Sequence, residues 1–471
     1  MNPALKPANT RTVTDYTHEL VGFLHGISAE RLPEAVLDRA RYFLLDYLSV
    51  AVRGSLEESA RCVQRMIQRT APDGSATVIG TPIRTLPELA ALANGTSSHG
   101  IEQDDTHSGG SIHLGTTMYS VALALAEMLP DISSTRFLAA VVAGYEAAAR
   151  IAMAAQAKEQ YRLGFHPTQT CGVFGAAVTA SKLLNLTAEK MQAAVGIAGT
   201  MAAGSMEFLA EGAWTKRIHP GLAARNGIEA AMLAAEGFIG PRRALEGRDG
   251  FLHGYSGDAL PDRLVDNLGD SYEILNTAVK PHACCRYMQG PIDAILAIMR
   301  ENAIDAQCIR SIETAILEAG WGIVCEPRDK KYHPESAVDT QFSMPFGAAV
   351  AALYGTAGLD QFTPELARAP EVHRMLGKVV LTKDVRLEKT FPREWPAHVA
   401  IVLEDGRRFE KFVRYPKGDP ENPLSWEEMA AKFQSLAGRV IPSDRCERVI
   451  EQVKSSDASA LNPAALARLC C

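Results

Sequence analysis

The chain lacks most of the motifs that assign a protein quickly. Its 471 residues hold nine cysteines and no CxxC pair. An odd count without ribbon spacing argues against both a disulfide framework and a zinc ribbon. No HExxH or HxH occurs, so no metal ligands are spaced along the sequence. There is no GxSxG elbow, no Walker A loop and no GxGxxG between a strand and a helix. Serine-hydrolase, P-loop and dinucleotide chemistry are thus unsupported. Basic residues are not in excess: 48 Lys and Arg stand against 55 Asp and Glu, a formal net charge of −7. Neither nucleic acid nor an anionic membrane is an expected partner. The longest apolar stretch, FLAAVVAGYEAAARIAMAA (137–155), is interrupted by Glu146 and Arg150 and makes a poor membrane span. The N-terminal MNPALKPANTRTVTDY has no apolar run of the secretory kind. These absences lead to the expectation of a cytoplasmic protein with reduced thiols.

What is present is a long run of helical pattern. In PEAVLDRARYFLLDYLSVAVRG (33–54), Val36, Ala40, Phe43, Leu44, Tyr47, Leu48 and Ala51 recur at helical spacing. Further helical segments rich in Ala and Gly follow to about residue 236, and such small side chains let helix axes approach closely. The pattern changes near residue 275. RSIETAILEAG (310–320), KVVLTKDVRLE (378–388) and HVAIVLEDGRRFEKFVRY (398–415) read as strands, the last as a hairpin around Asp405-Gly406. After the Pro/Gly-rich YPKGDPENPLSW (415–426), predicted to be a linker, helical pattern returns. The expected fold is mainly α. A large helical domain, residues 1–275 and 416–471, carries a smaller α+β lid domain, 276–415, inserted near the C-terminus. A cleft between the two is the natural place for a small-molecule site.

Titratable residues collect in short loops between the apolar helices. SHGIEQDDTHSGGSIH (98–113) holds His99, His107 and His113 with Glu102, Asp104 and Asp105. GFHP supplies His166, TKRIH supplies Lys216, Arg217 and His219, and KPHACCR supplies Lys280, His282 and Arg286. Three readings compete for the first loop: a dispersed metal site, a solvated loop, or acid–base chemistry. Removing a proton α to a carboxylate needs an imidazole to accept it. It also needs positive charge to hold the carbanion. The pattern therefore favours histidines acting with lysines and arginines that are not tied up in salt bridges.

Taken together, these segments resemble the MmgE/PrpD family, which includes 2-methylcitrate dehydratase, cis-aconitate decarboxylase and iminodisuccinate epimerase. The resemblance rests on NGTSSHGIEQDDTH (94–107), SIHLGT (111–116), GFHPTQTCGVFGAA (164–177), GIAGTMAAGSMEF (196–208), GAWTKRIHPGLAARNG (212–227), KPHACCRY (280–287) and DTQFSMPF (339–346). The resemblance implies a helical domain with a lid, a homodimer, an active site in the cleft, and no metal or organic cofactor. By the same resemblance, Asp104, His113, His166 and Lys216 are the candidate catalytic residues. Asp105, Thr106, His107, His219, Lys280, Cys285 and Arg286 are the candidate substrate-binding residues. His99 is assigned a structural role.

The expected function is abstraction of a proton α to a carboxylate of a small di- or tricarboxylic acid. A hydro-lyase is preferred, an epimerase or isomerase is the alternative, and a decarboxylase is third. Cys285 stands where decarboxylase-like members carry a histidine. Leu114 and the Glu102-Gln103 pair also depart from the family pattern.

Overall fold

Small side chains decide how the N-terminal helices pack. A computed structural model of the chain describes residues 15–129, 132–457 and 460–471. Its helices include Glu34–Gly54, Pro87–Ser98, Gly115–Met128, Ser134–Ala155, Gly172–Leu183, Ala188–Gly199 and Thr215–Ala235. Pro87–Ser98 crosses Thr215–Ala235 with almost no gap. A Cβ on Gly95 would lie 2.6 Å from the Gly221 Cα, and one on Gly221 would lie 2.3 Å from the Leu92 carbonyl oxygen. This crossing sets the C-terminal end of the first helix, at His99, beside the face of the second that carries His219. Ser134–Ala155 is the one helix among the described residues that is long and apolar enough to cross a membrane. It lies inside the bundle, with 94% of its apolar window buried, as expected for the core helix of a folded domain.

Two large apolar cores result, with two small clusters beside them, and the fold is mainly α with a smaller α+β unit. The larger core runs from Leu20 to Val279 and also takes in side chains from Leu424 to Cys470. The closing helices Trp426–Ala437, Ser443–Lys454 and Pro463–Leu469 therefore pack back on the first helices. The smaller core spans Ala283 to Leu403. It is built on the helices Gln289–Glu301 and Met344–Tyr354 and a four-stranded sheet. The strand order is Val379–Thr382, Ile309–Ala315, Ala397–Leu403, Arg408–Val413. The first pair is parallel and the others antiparallel.

The strands are shorter than their sequence patterns. RSIETAILEAG stops as a strand at Ala315 and continues as the helix Glu318–Val324. KVVLTKDVRLE is cut at Thr382, because the Asp384 carboxylate takes the Arg386 backbone N–H at 2.9 Å and closes a local turn. The hairpin turns at Asp405-Gly406, with Gly406 at φ +87°, a conformation that glycine reaches without strain.

The segment predicted to be a linker is a fixed strap. The Gly418 carbonyl accepts the Val279 N–H at 2.9 Å. The Lys417 N–H reaches Asp293 at 2.7 Å, and Asp419 pairs with Arg286.

Candidate functional site

A two-residue ladder assembles the site. Thr106 and His107 pair antiparallel with Ala278 and Thr277. That pairing ties the histidine-rich loop to the segment ending in Lys280. The loop leaves the helix Pro87–Ser98 at His99 and bends through Glu102 (φ +58°) and Ser111 (φ +48°). Neither is glycine, so both positions are sterically disfavoured and are held by their surroundings.

Asp104 is the hub. Nδ1 of His99 donates to Oδ2 of Asp104 at 2.7 Å. Nδ1 of His113 lies 3.0 Å from the same oxygen, 2.9 Å from the Asp105 carbonyl and 3.2 Å from the Thr106 hydroxyl. The first two neighbours can only accept from an imidazole. They assign the proton to Nδ1 and leave the lone pair on Nε2. Lys280 is buried and sits 3.1 Å from Oδ1 of Asp104. Burial lowers the His99 pKa to about 3 and also lowers that of His113, so both rings are neutral near pH 7. Burial works against the Asp104 anion, but His113, Lys280 and His99 more than offset it, and the carboxyl is held well below its usual range.

A second imidazole unit faces the first. His166 and His219 share a hydrogen bond between their Nδ1 atoms at 2.9 Å, and the ring of Phe208 lies edge-on to both. The His113 and His166 rings are 6.3 Å apart between centroids. Burial takes the His166 pKa well down and that of His219 to about 4. His219 comes from the first turns of Thr215–Ala235. Lys216 stands three residues before it on the same helical face. Arg217 points elsewhere, to Glu57 and Ser59.

The sequence pattern called for cations free of salt bridges, and the structure pairs each of them. Lys216 is ion-paired with Glu102 and lies 5.3 Å from the centre of the Phe342 ring. Lys280 reaches Glu102 at 3.5 Å in addition to Asp104. Burial opposes ionisation of Glu102, but Lys216 and Lys280 outweigh it and hold its pKa at about 2. Arg286 pairs with Asp419 and stacks over Trp395 at 4.9 Å. Two acids thus balance two lysines at the imidazoles, and Arg286 has its own counter-ion.

Asp105 and His107, expected to bind substrate, both make hydrogen bonds within the protein. Asp105 accepts the Gly115 N–H at 2.9 Å and the Tyr145 hydroxyl at 2.7 Å. It anchors the N-terminus of the helix Gly115–Met128, and burial raises its pKa to about 8. His107 holds Glu273 at 2.9 Å through Nε2 and accepts the Gly110 N–H at 3.0 Å through Nδ1, so both ring nitrogens are used. Thr106, also expected to bind substrate, bonds locally to His113 at 3.2 Å. His99, expected to be structural, lies among the candidate residues: its ring is 4.7 Å from that of His113 and 6.0 Å from that of His166. Glu102 is not among the residues that the sequence pattern nominates. Its position three residues after His99 and two before Asp104, in a loop without Lys or Arg, was the available signal.

Cys284 and Cys285 are buried, and burial raises both thiol pKa values. A thiolate nucleophile has no support here. The Cys285 N–H donates to the Gln341 carbonyl, while the Gln341 side chain donates to the Ile101 carbonyl at 3.3 Å. Gln103 reaches the Pro281 carbonyl at 2.9 Å. The imidazoles therefore lie beneath contacts between the helical unit and the α+β unit. A separate surface hollow of about 550 Å³ borders the backbone around Phe165 and Ser205, and no imidazole lines it.

Comparison with known proteins gives a consistent result along the chain. The family profile for the MmgE/PrpD N-terminal domain matches residues 18–263, and that for the MmgE/PrpD C-terminal domain matches residues 282–457. The chain is 31% identical to the cis-aconitate decarboxylase-like protein oryM of Aspergillus oryzae, over 95% of this chain and 97% of that protein. It is 27% identical to the cis-aconitate decarboxylase of Aspergillus terreus, over 96% and 95% respectively. It is also 27% identical to that of Mus musculus, over 93% and 90%.

Proposed function

The chain belongs to the MmgE/PrpD family, and on that premise we propose that it is a lyase for a small di- or tricarboxylic acid, acting as a hydro-lyase. The observation that carries this reading is the Asp104–His113 pair. With the Nδ1 proton held toward Asp104 at 3.0 Å and toward the Asp105 carbonyl at 2.9 Å, Nε2 is a proton acceptor aimed away from its anchors.

In the proposed reaction His113 Nε2 takes the proton α to a carboxylate. The electron pair left on that carbon forms the new double bond. The hydroxyl on the neighbouring carbon leaves as water, taking its proton from the His166–His219 pair, which the incoming substrate carboxylates bring to the singly protonated, imidazolium form. Dehydration needs a separate base and acid, and the two imidazole units supply them. The substrate carboxylate displaces Glu102 from Lys216, and Lys280 keeps Asp104 anionic. Because the site lies beneath contacts between the two units, substrate enters when the α+β unit moves away from the helical one.

A second reading, decarboxylation, is favoured by the names of the relatives. There the carbon–carboxylate bond breaks, carbon dioxide leaves, and an imidazole protonates the remaining carbanion. Cys285, at a position where decarboxylase-like members carry histidine, weighs against it. The test is a panel of 2- and 3-hydroxy di- and tricarboxylates and their unsaturated counterparts, followed by proton NMR in deuterated water with trapping of carbon dioxide. An alkene formed with loss of hydroxyl and no gas supports the hydro-lyase. Stoichiometric gas evolution replaces it with the decarboxylase. Exchange of the α-proton alone replaces it with an epimerase.

A further inference from the structure

Nε2 of His99 is fully buried and has no hydrogen-bond partner. Leaving a buried imidazole nitrogen unsatisfied is destabilising, so the position calls for an occupant. One ring nitrogen from each of His99, His113 and His166 lies within 4.8 Å of the other two. On His99 and His113 the nitrogen left over is Nε2, since both Nδ1 atoms face Asp104. A histidine whose other nitrogen donates to a carboxylate is oriented and made more basic, the usual arrangement behind a metal-bound imidazole. Here one carboxylate serves two rings, and the His166 ring is positioned in turn by His219 at 2.9 Å.

We infer that His99, His113 and His166 form a binding site for one divalent late first-row metal ion, of which Zn²⁺ is the representative, and that the ion blocks the site rather than serving it. Three neutral nitrogen donors with no thiolate suit Zn²⁺, Cu²⁺, Ni²⁺ or Co²⁺ and disfavour Mg²⁺ or Ca²⁺. Three protein ligands with an open position is also the ligand count of a tetrahedral zinc site that keeps a water. Tetrahedral bonds of about 2.0–2.1 Å place the nitrogens roughly 3.3 Å apart. Ring nitrogens that lie within 4.8 Å of one another therefore draw together by up to about 1.5 Å on binding. Glu102 and Asp104 balance Lys216 and Lys280, so the ion does not enter a site of net positive charge. Metal binding is independent of which reaction the site catalyses. The consequence for activity is that the ion holds His113, the proposed base, through the nitrogen that must accept the proton.

The test uses the whole purified protein and Co²⁺ or Zn²⁺ alone. Titration with Co²⁺ is expected to produce the visible absorption of a four- or five-coordinate site at one ion per chain, displaced by Zn²⁺. X-ray absorption at the zinc edge of the unmodified protein should count three imidazoles. His99→Gln should weaken binding at least tenfold and Asp104→Asn by roughly 10–100-fold, while the exposed His333→Gln leaves it unchanged. Binding of Zn²⁺ with none or one imidazole, or affinity indifferent to His99→Gln, overturns the inference. Because the zinc-edge count needs no variant, misfolding of a substituted chain does not decide the outcome.

Discussion

Nδ1 of His99 and Nδ1 of His113 converge on one oxygen of Asp104, with the His99 contact at 2.7 Å. The His99–Asp104 pair ties the end of the helix Pro87–Ser98 to the candidate site. It joins a residue placed by helix crossing to one placed by the loop. Substituting either changes the setting of His113, the proposed base, without altering that residue itself.

Glu102 is expected to act as a stand-in for substrate. Glu102→Gln leaves two buried lysines with a single carboxylate, and an uncompensated buried charge costs about 3–5 kcal/mol. The variant should therefore unfold at lower urea than the parent. It should also gain more stability than the parent on adding a tricarboxylate. Equal ligand-induced shifts in the two proteins would remove the competition between Glu102 and substrate for Lys216.

His107 should prove a matter of stability alone. His107→Gln disturbs the bond to Glu273 and the one from Gly110, a cost of about 1–3 kcal/mol. Urea unfolding should show that loss, while turnover at a permissive temperature stays close to that of the parent. A collapse of turnover with normal stability, on the scale of the ~10²–10⁴-fold that a positioned acid or base supplies, would return His107 to the site.

The helix crossing makes a packing prediction with an internal control. Gly95→Ala and Gly221→Ala both force a methyl into a neighbouring backbone and should cost about 1–3 kcal/mol or more. Gly22, in the helix Tyr16–Gly26, has nothing within 4 Å of an added Cβ. Gly22→Ala should stabilise by about 0.4–1 kcal/mol. Thermal melts of the three variants check the order.

Glu146 carries a pH dependence of stability. Burial raises its pKa from 4.5 to about 7, against the pull of Arg150. The folded chain therefore holds this proton when the unfolded chain has lost it. The contribution is complete below pH 4.5 and is lost as pH rises toward 7. Its size is roughly 3 kcal/mol, at 1.36 kcal/mol for each pKa unit. Glu146→Gln should flatten stability against pH across that window, read from urea midpoints between pH 5 and 8. An unaltered slope would show that Glu146 titrates normally.

Local features of this fold were legible in the sequence, and long-range pairings were not. The helical half, the Asp405-Gly406 hairpin and the motif residues His113, His166 and Lys216 all announce themselves within short windows. The sequence reading left open the partners of Lys216, Arg286 and His107. Those partners, Glu102, Asp419 and Glu273, lie 114, 133 and 166 residues away, and nothing local records them. The place of His99 beside the other two imidazoles is non-local in the same way. It comes from a crossing of two helices through Gly95 and Gly221, which no spacing within the loop encodes.

The central claim is that His113 transfers a proton at the carbon next to a substrate carboxylate. The most direct measurement is the rate of α-deuterium incorporation or water elimination, by proton NMR in deuterated water, for the parent and for His113→Gln at matched folding. With His113 as the base, kcat is expected to fall by roughly 10²–10⁴-fold, the usual contribution of a positioned general base, with KM changed far less. A His113→Gln protein that exchanges or eliminates at the parent rate would contradict it.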